Sequence, residues 1–208
     1  VAPLLLFGLA ISFRRQLLER KKTLIIAIIV GIVTTTPLVQ FLISPQAKLR
    51  FQEVNIFSSP AIIERANQEI ANDEGVLWSK ILHNRRLAYG VEYLRHYLDN
   101  FNPSFLFIKG DGNPKFSTQD VGQLFLWDLP FLIIGILFLI IRREGSWWII
   151  PLWLLIGIIP AGTARETPHA LRIETTLPTW QILVAYGFIQ FISRIRNYEL
   201  GIRRLLLV

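Results

Sequence analysis

Long apolar runs alternate with polar segments along this chain of 208 residues. A bilayer core about 30 Å thick needs roughly 20 apolar residues in each helix that crosses it. Four runs meet or approach that length, at residues 23–44, 124–141, 147–164 and 177–193, and a shorter fifth run covers residues 1–13. The pattern therefore predicts an all-α polytopic membrane protein with about five transmembrane helices, of which the first is truncated.

The order of these runs predicts three regions. Residues 1–44 would hold the truncated span, a cytoplasmic loop and the second span. Residues 45–123 would form a largely helical extracytoplasmic loop domain, because the segment is long and not of low complexity. Residues 124–208 would form a three-span bundle with a short outer loop at 165–176 and a basic cytoplasmic tail.

Two helices are predicted inside the long loop. Ser59 followed by Pro60 is typical of a helix start, since proline is favoured in the first turn. A second helix, at about residues 84–101, is predicted from one apolar stripe with spacings of three and four: Leu87, Val91, Leu94, Leu98 and Phe101. That helix could lie on a bilayer, or it could be a solvated helix that packs on its own domain.

The charge distribution agrees with this topology. The predicted inner loops and tail carry eleven cations against three anions, whereas residues 45–123 carry nine of each. Cytoplasmic loops of membrane proteins are enriched in Lys and Arg. The net charge of +7 is therefore attributed to topology and to contact with anionic lipids, and nucleic-acid binding is not needed to explain it.

The first residues do not look like a signal peptide. The apolar run at 1–13 has no initiator methionine, no basic region before it and no small-residue cleavage site after it, and the chain contains no Met. We expect the chain to be the C-terminal part of a larger protein. We also expect an integral membrane protein of a bacterial or archaeal plasma membrane, with residues 45–123 and 165–176 outside.

Familiar cofactor and metal motifs are missing from the sequence. It contains no glycine-rich nucleotide fingerprint, phosphate loop or paired-histidine zinc helix, and no cysteine. The three histidines are far apart, and Asp111 with Asn113 has only the first spacing of a calcium loop. The sequence thus indicates no cofactor and no metal site, and it gives no support for a divalent metal.

A polar cluster between the last two runs is the first candidate site. Arg165, His169 and Arg172 fall within ten residues, and the last two would share a face if the segment is helical. A guanidinium at a membrane boundary can contact a phosphate through two hydrogen bonds. The alternatives are a structural ion pair with Glu166 or Glu174, or an arginine that reaches toward lipid headgroups.

A glycine-rich turn is the second candidate site. Residues 109–115 follow an apolar patch, and Gly110 and Gly112 permit left-handed backbone there. The turn offers two cations, a carboxylate and an amide from Lys109, Asp111, Asn113 and Lys115.

Several short motifs resemble one family. Phe105-Leu106-Phe107 with the turn 109–115, Gly122-Gln123-Leu124, the segment Thr167 to Arg172, Pro178 and Ala185-Tyr186-Gly187 together resemble the C-terminal half of polytopic lipid-linked glycosyltransferases. These C-type fold (GT-C) enzymes are related to protein O-mannosyltransferases and to the aminoarabinose transferase that modifies lipid A. The resemblance covers the chain from about residue 100 onward.

The resemblance implies a polyprenyl-phosphate sugar as donor and transfer at the outer face of the membrane, to an acceptor protein, lipid or glycan. It implies that Arg165, His169 and Arg172 hold the lipid phosphate, and that Lys109, Asp111, Asn113 and Lys115 border the sugar or acceptor. The family's catalytic carboxylate lies in the first outer loop, so no catalytic residue is assigned in this chain.

Two other functions compete with this one. The chain could be a non-catalytic membrane module whose outer loop binds glycan or a partner protein. A transporter fragment is less favoured, because no predicted span has a charge near its middle, where ion pathways usually place ionisable residues.

Overall fold

The computed structural model is all-helical, and it describes the backbone of residues 2–206 and the side chains of residues 3–196. Short 3₁₀ turns lie at Ile56–Ser58 and Glu174–Thr176, and a single π-helical turn lies at Ser104–Ile108. The α-helices are α1 (Ala2–Ser12), α2 (Arg14–Glu19), α3 (Lys21–Ile43), α4 (Pro45–Val54), α5 (Pro60–Asn72), α6 (Leu77–Leu82), α7 (Arg85–Asp99), α8 (Asp128–Arg142), α9 (Ile149–Gly162), α10 (Ala170–Ile173) and α11 (Leu177–Leu206).

The prediction of about five transmembrane helices is wrong. Within the described residues, α3 alone is long and apolar enough to cross a membrane. The runs at 124–141 and 147–164 form α8 and α9, whose 15 and 14 residues are shorter than the roughly 20 that a bilayer core requires. The run at 1–13 forms α1, which has 11 residues.

The last apolar run fails for a different reason. It begins α11, which is long enough, but the polar residues Thr179, Gln181 and Gln190 interrupt its apolar sequence. Thr179 and Gln190 are buried within the protein. Arg203 and Arg204 of the predicted basic tail lie outside the described side chains.

The helix α3 confirms the predicted run at 23–44 as a helix of membrane-spanning length. It has 23 residues, and none of them is buried. A signal sequence near an N-terminus can have the same length and composition, as can a core helix of a soluble protein, although a core helix is mostly buried. The described part of the chain thus contains one helix that could span a membrane, in place of the predicted topology.

The chain divides into two compact units. The N-terminal unit consists of Ala2–Tyr97 and Gly162–Thr167, and the C-terminal unit consists of Leu98–Ala161 and Pro168–Val208. The boundaries between the regions predicted from the apolar runs lie after residues 44 and 123. The segment predicted as one loop domain, 45–123, therefore contributes to both units.

In the N-terminal unit, the returning segment 162–167 pairs with the chain before α5. Ile56 N donates to Thr163 O at 3.0 Å, and Arg165 N donates to Val54 O at 3.0 Å. The predicted helix start is confirmed, since α5 begins at Pro60, although Ser59 makes no side-chain capping hydrogen bond. The helix predicted at 84–101 is confirmed as α7.

In the C-terminal unit, α8 and α11 cross at very short backbone distance. A Cβ atom added at Gly135 would collide with the carbonyl oxygen of Leu183, and one added at Gly187 would collide with that of Phe131. The ring of Phe131 packs edge-on against Phe188, with centroids 5.2 Å apart. Small residues permit such close approach of helix backbones, so the two glycines set the spacing of this pair.

Candidate functional site

The turn 109–115 is built by local hydrogen bonds. Gly110 adopts φ +71°, and a Cβ atom there would come within 2.7 Å of the carbonyl oxygen of Val121, so both the conformation and the space require glycine. Gly112 does not adopt a positive φ. Asp111 Oδ1 accepts from Asn113 N at 2.8 Å, and Asn113 Oδ1 accepts from Lys115 N at 3.1 Å. The side chains predicted as site residues therefore also shape the turn.

The carboxylate of Asp111 joins this turn to the segment that contains His169. Asp111 Oδ2 accepts a hydrogen bond from Ala170 N at 2.7 Å. The same oxygen lies 3.6 Å from His169 Nδ1. That distance is too long for an N–H···O hydrogen bond, and the contact is an ion pair only when the imidazole is protonated. Both side chains are buried, so the structure brings together two segments that are about sixty positions apart in the sequence.

Two further residues hold His169 in place. Its backbone N–H donates to Asn100 Oδ1 at 3.1 Å, and Asn100 is fully buried one residue after α7. The ring of Phe116 covers the imidazole, with centroids 5.0 Å apart. The sequence reasoning did not identify either residue. Asn100 could not have been found by local pattern, because its partner lies 69 positions away.

The cations of the C-terminal unit are more accessible. Lys109 and Lys115 are exposed, and Arg172 is partly exposed. Arg172 N donates to His169 O at 3.2 Å. Arg172 therefore lies one helical turn after His169 along the backbone. Within this unit, a buried carboxylate and imidazole thus lie next to segments that offer accessible positive charge.

Arg165 belongs to the N-terminal unit and has structural partners there. Its Nε donates to Asn55 O at 3.2 Å, and its terminal NH2 group donates to Gln52 O at 3.2 Å. Neither Glu166 nor Glu174, which the alternative interpretation of the polar cluster offered as ion-pair partners, takes part in these contacts of Arg165. The guanidinium ties the segment 162–167 to the end of α4.

The N-terminal unit has a charged cluster that the sequence reasoning missed. Glu92 Oε2 lies 3.1 Å from a terminal nitrogen of Arg65, and Glu92 Oε1 lies 3.1 Å from His96 Nε2. His96 Nδ1 donates to Ala164 O at 2.6 Å. Burial by itself would raise the pKa of Glu92, but the hydrogen bond from Arg65 and the charges of Arg95, Arg65 and His96 hold it below 4.5. The cluster fastens α7 to α5 and to segment 162–167.

A shallow apolar groove lies between α8 and α11. Its volume is about 330 Å³, and it is walled mainly by Leu124, Trp127, Phe131, Ala185 and Phe188. Two polar residues, Asp128 and Gln181, also line it. The groove includes Ala185, which belongs to one of the motifs that carry the family resemblance.

Metal binding and similarity to other proteins add no functional assignment. In the part of the chain that the structure describes, no group of three or more His, Asp or Glu side chains is arranged to hold a metal ion. Comparison with known protein families, characterised proteins and solved structures finds no match to this chain.

Proposed function

We propose that this chain is the C-terminal portion of a glycosyltransferase that moves a sugar from a polyprenyl-phosphate carrier to an acceptor at the outer face of a membrane. The proposal originates in the motif resemblance from about residue 100 onward. The observation that carries it further is the contact of Asp111 with the backbone of Ala170 and with His169. Two motifs that the resemblance assigns to one site are adjacent within one unit.

Each group in this site has a role that its chemistry supports. Arg172 would bind the phosphate of the donor and neutralise charge as the sugar leaves, because a guanidinium can form two parallel hydrogen bonds to phosphate oxygens. Asp111 would orient the His169 imidazole. Lys109 and Lys115, which are exposed, would border the sugar or the acceptor.

Arg165 contributes less to the proposal than the sequence suggested. Its guanidinium already donates to two backbone carbonyl oxygens in the N-terminal unit, and a phosphate would have to compete with these contacts. The proposal relies on His169 and Arg172, which lie in the same unit as Asp111. No catalytic base is assigned, because the resemblance places the family's catalytic carboxylate in the first outer loop.

The apolar groove between α8 and α11 gives separate support. A polyprenyl chain is a branched hydrocarbon, and a groove walled by aromatic and aliphatic side chains is a suitable surface for it. The groove lies in the same unit as His169 and Asp111.

The test is transfer by the complete enzyme in lipid vesicles, with a polyprenyl-phosphate sugar as donor. Replacing Arg172 with Ala should lower the transfer rate by about 10²–10³-fold, the usual effect of removing one electrostatic contact to the transition state. Arg172→Lys should also be poor, because an ammonium group lacks the planar fork. Arg194→Ala removes an exposed arginine of α11 and should leave transfer unchanged.

Asp111→Asn tests the observation that carries the proposal. It keeps the size of the side chain while removing the charge that faces His169, so transfer should fall while the protein remains folded. Protease resistance equal to that of the parent protein would confirm the fold. Unchanged transfer in Arg172→Ala would contradict the proposed phosphate site, whereas no transfer by the complete parent protein would contradict the proposed function and favour a non-catalytic membrane module.

A further inference from the structure

The apolar stripe of α7 faces away from the protein. Leu87, Val91 and Leu94 are 49%, 64% and 55% exposed. Successive residues of an α-helix are rotated by about 100°, which places His96 and Glu92 on the opposite side. His96 is buried and Glu92 is tied to Arg65 of α5, so the polar side of α7 is its packed side. In water this orientation is unfavourable, because burying an aliphatic side chain lowers the free energy of the protein and these side chains remain exposed.

The short helix before α7 has the same property. The apolar side chains of α6 are all more than half exposed, whereas Ser79 on its other side is fully buried and donates to Asp73. These exposed side chains are Leu77, Trp78, Ile81 and Leu82. The successive helices α6 and α7 thus both expose aliphatic side chains, with one tryptophan on α6, and exposed apolar surface of this kind usually marks a contact site.

Charge identifies the partner. Residues 77–99 carry four cations against two anions, which are Glu92 on the packed side and Asp99 at the last residue of α7. Arg86 and Arg95 lie about a quarter turn to either side of the stripe, and both are exposed, although Arg95 also lies 3.6 Å from Glu92. A helix that lies in the plane of a bilayer has this arrangement: the aliphatic face enters the acyl region, while flanking arginines extend their charged ends to the headgroups.

We infer that α6 and α7 form an interfacial surface that lies on a bilayer containing anionic phospholipids, with the stripe Leu87, Val91 and Leu94 inserted and Arg86 and Arg95 on headgroup phosphates. The N-terminal unit that carries this surface also contains α3, the helix of membrane-spanning length. The structure thus favours the bilayer over packing on the loop domain as the environment of this stripe. The inference does not depend on the glycosyltransferase proposal.

The absence of cysteine from the chain allows a direct test with one labelled position at a time. The full chain is placed in lipid nanodiscs with an environment-sensitive fluorophore at Val91→Cys, and Gln68→Cys on the exposed side of α5 is the matched control. In discs of phosphatidylcholine with phosphatidylglycerol, the label at 91 should emit at shorter wavelength than the label at 68. It should also be quenched by nitroxide-labelled lipid and resist quenching by iodide.

The charge requirement is tested in the same discs. Replacing Arg86 and Arg95 with Gln should lower the equilibrium constant for docking of α7 on the bilayer, measured by the quenching of the label at 91. The expected decrease is roughly fivefold for each cation removed, since a cation near an anionic surface contributes about 1 kcal/mol. Discs of phosphatidylcholine alone should reproduce this weakening.

Three results would overturn the inference. In the first, iodide quenches the labels at 91 and 68 equally in discs that contain phosphatidylglycerol. In the second, the label at 91 resists iodide but is not quenched by nitroxide lipid, which would mean that a second copy of the chain or another protein covers the surface. The third is failure of the chain to associate with the discs.

Discussion

The helix α7 and the pair α8 and α11 use their apolar residues in opposite ways. The stripe of α7 is exposed, and its polar side packs through Glu92 and His96. In the pair, apolar residues meet each other: Leu132 of α8 and Leu183 of α11 are buried, and Gly135 and Gly187 bring the backbones together. An apolar stripe therefore indicates that a helix has two different sides, but not which side faces the protein.

The difference has a physical cause. The polar side of α7 packs against the protein because it has polar partners there, which are the guanidinium of Arg65 and the carbonyl of Ala164. A hydrogen bond to the charged carboxylate of Glu92 contributes at most about 1.5–3 kcal/mol, and less because Arg65 is half exposed, while one to a neutral carbonyl contributes about 0.5–1.5 kcal/mol. These contacts fix the orientation of α7 and leave its aliphatic stripe for another environment. Residues 129–141 of α8 and 178–193 of α11 contain no charged side chain.

The largest expected loss of stability comes from shortening a buried side chain between α8 and α11. Leu183→Ala should lower the free energy of unfolding by about 2–5 kcal/mol, the usual cost of a cavity in a packed core. Leu94→Ala in the exposed stripe is the control and should change it by about 0.5 kcal/mol or less. Both values come from chemical denaturation in detergent solution. Equal losses for the two variants would contradict the comparison.

The next largest loss of stability is expected where the backbones of α8 and α11 approach each other at Gly135. Gly135→Ala should cost about 3 kcal/mol, because its Cβ atom would collide with the carbonyl of Leu183 and force the helices apart. Gly31→Ala in α3 meets no atom within 4 Å, so it should be neutral or slightly stabilising in the same assay. A tolerated alanine at 135 would show that the two helices are not tightly packed.

A smaller effect is expected on the packed side of α7. Glu92→Gln should lower the free energy of unfolding by about 1–3 kcal/mol, because it removes a charge that Arg65 and His96 both contact. Glu144→Gln removes one partner of an exposed ion pair with Arg142 and should cost less than about 1 kcal/mol. Thermal unfolding of the two variants side by side measures the difference.

The same carboxylate predicts a pH dependence. The pKa of Glu92 is lower in the folded protein than its ordinary value of 4.5, so its contribution to stability is complete above about pH 4.5. The contribution is lost as the pH falls through the folded-state pKa, because a protonated carboxyl no longer attracts Arg65. The stability difference between the parent protein and Glu92→Gln should therefore shrink as the pH falls below about 4.5. A constant difference over this range would exclude Glu92 as the titrating group.

Part of the candidate site was accessible from the sequence. Gly110 was predicted to shape a turn because glycine permits a positive φ, and it adopts φ +71°. His169 and Arg172 were selected because charge between two apolar runs is unusual. Their association with Asp111 depends on a contact across about sixty residues, and no local pattern reports such a contact.

The sequence by itself determined the helical character of the chain, the helix α3, the starts of α5 and α7, and the turn at Gly110. These features depend on residues within a few positions of one another, through periodicity, proline placement and backbone conformation. Tertiary structure decided which apolar runs are too short or too interrupted to span a membrane, and which side of α7 is packed. It also decided that Arg165 binds backbone carbonyls, whereas Asp111 faces His169, because distant segments supply those partners.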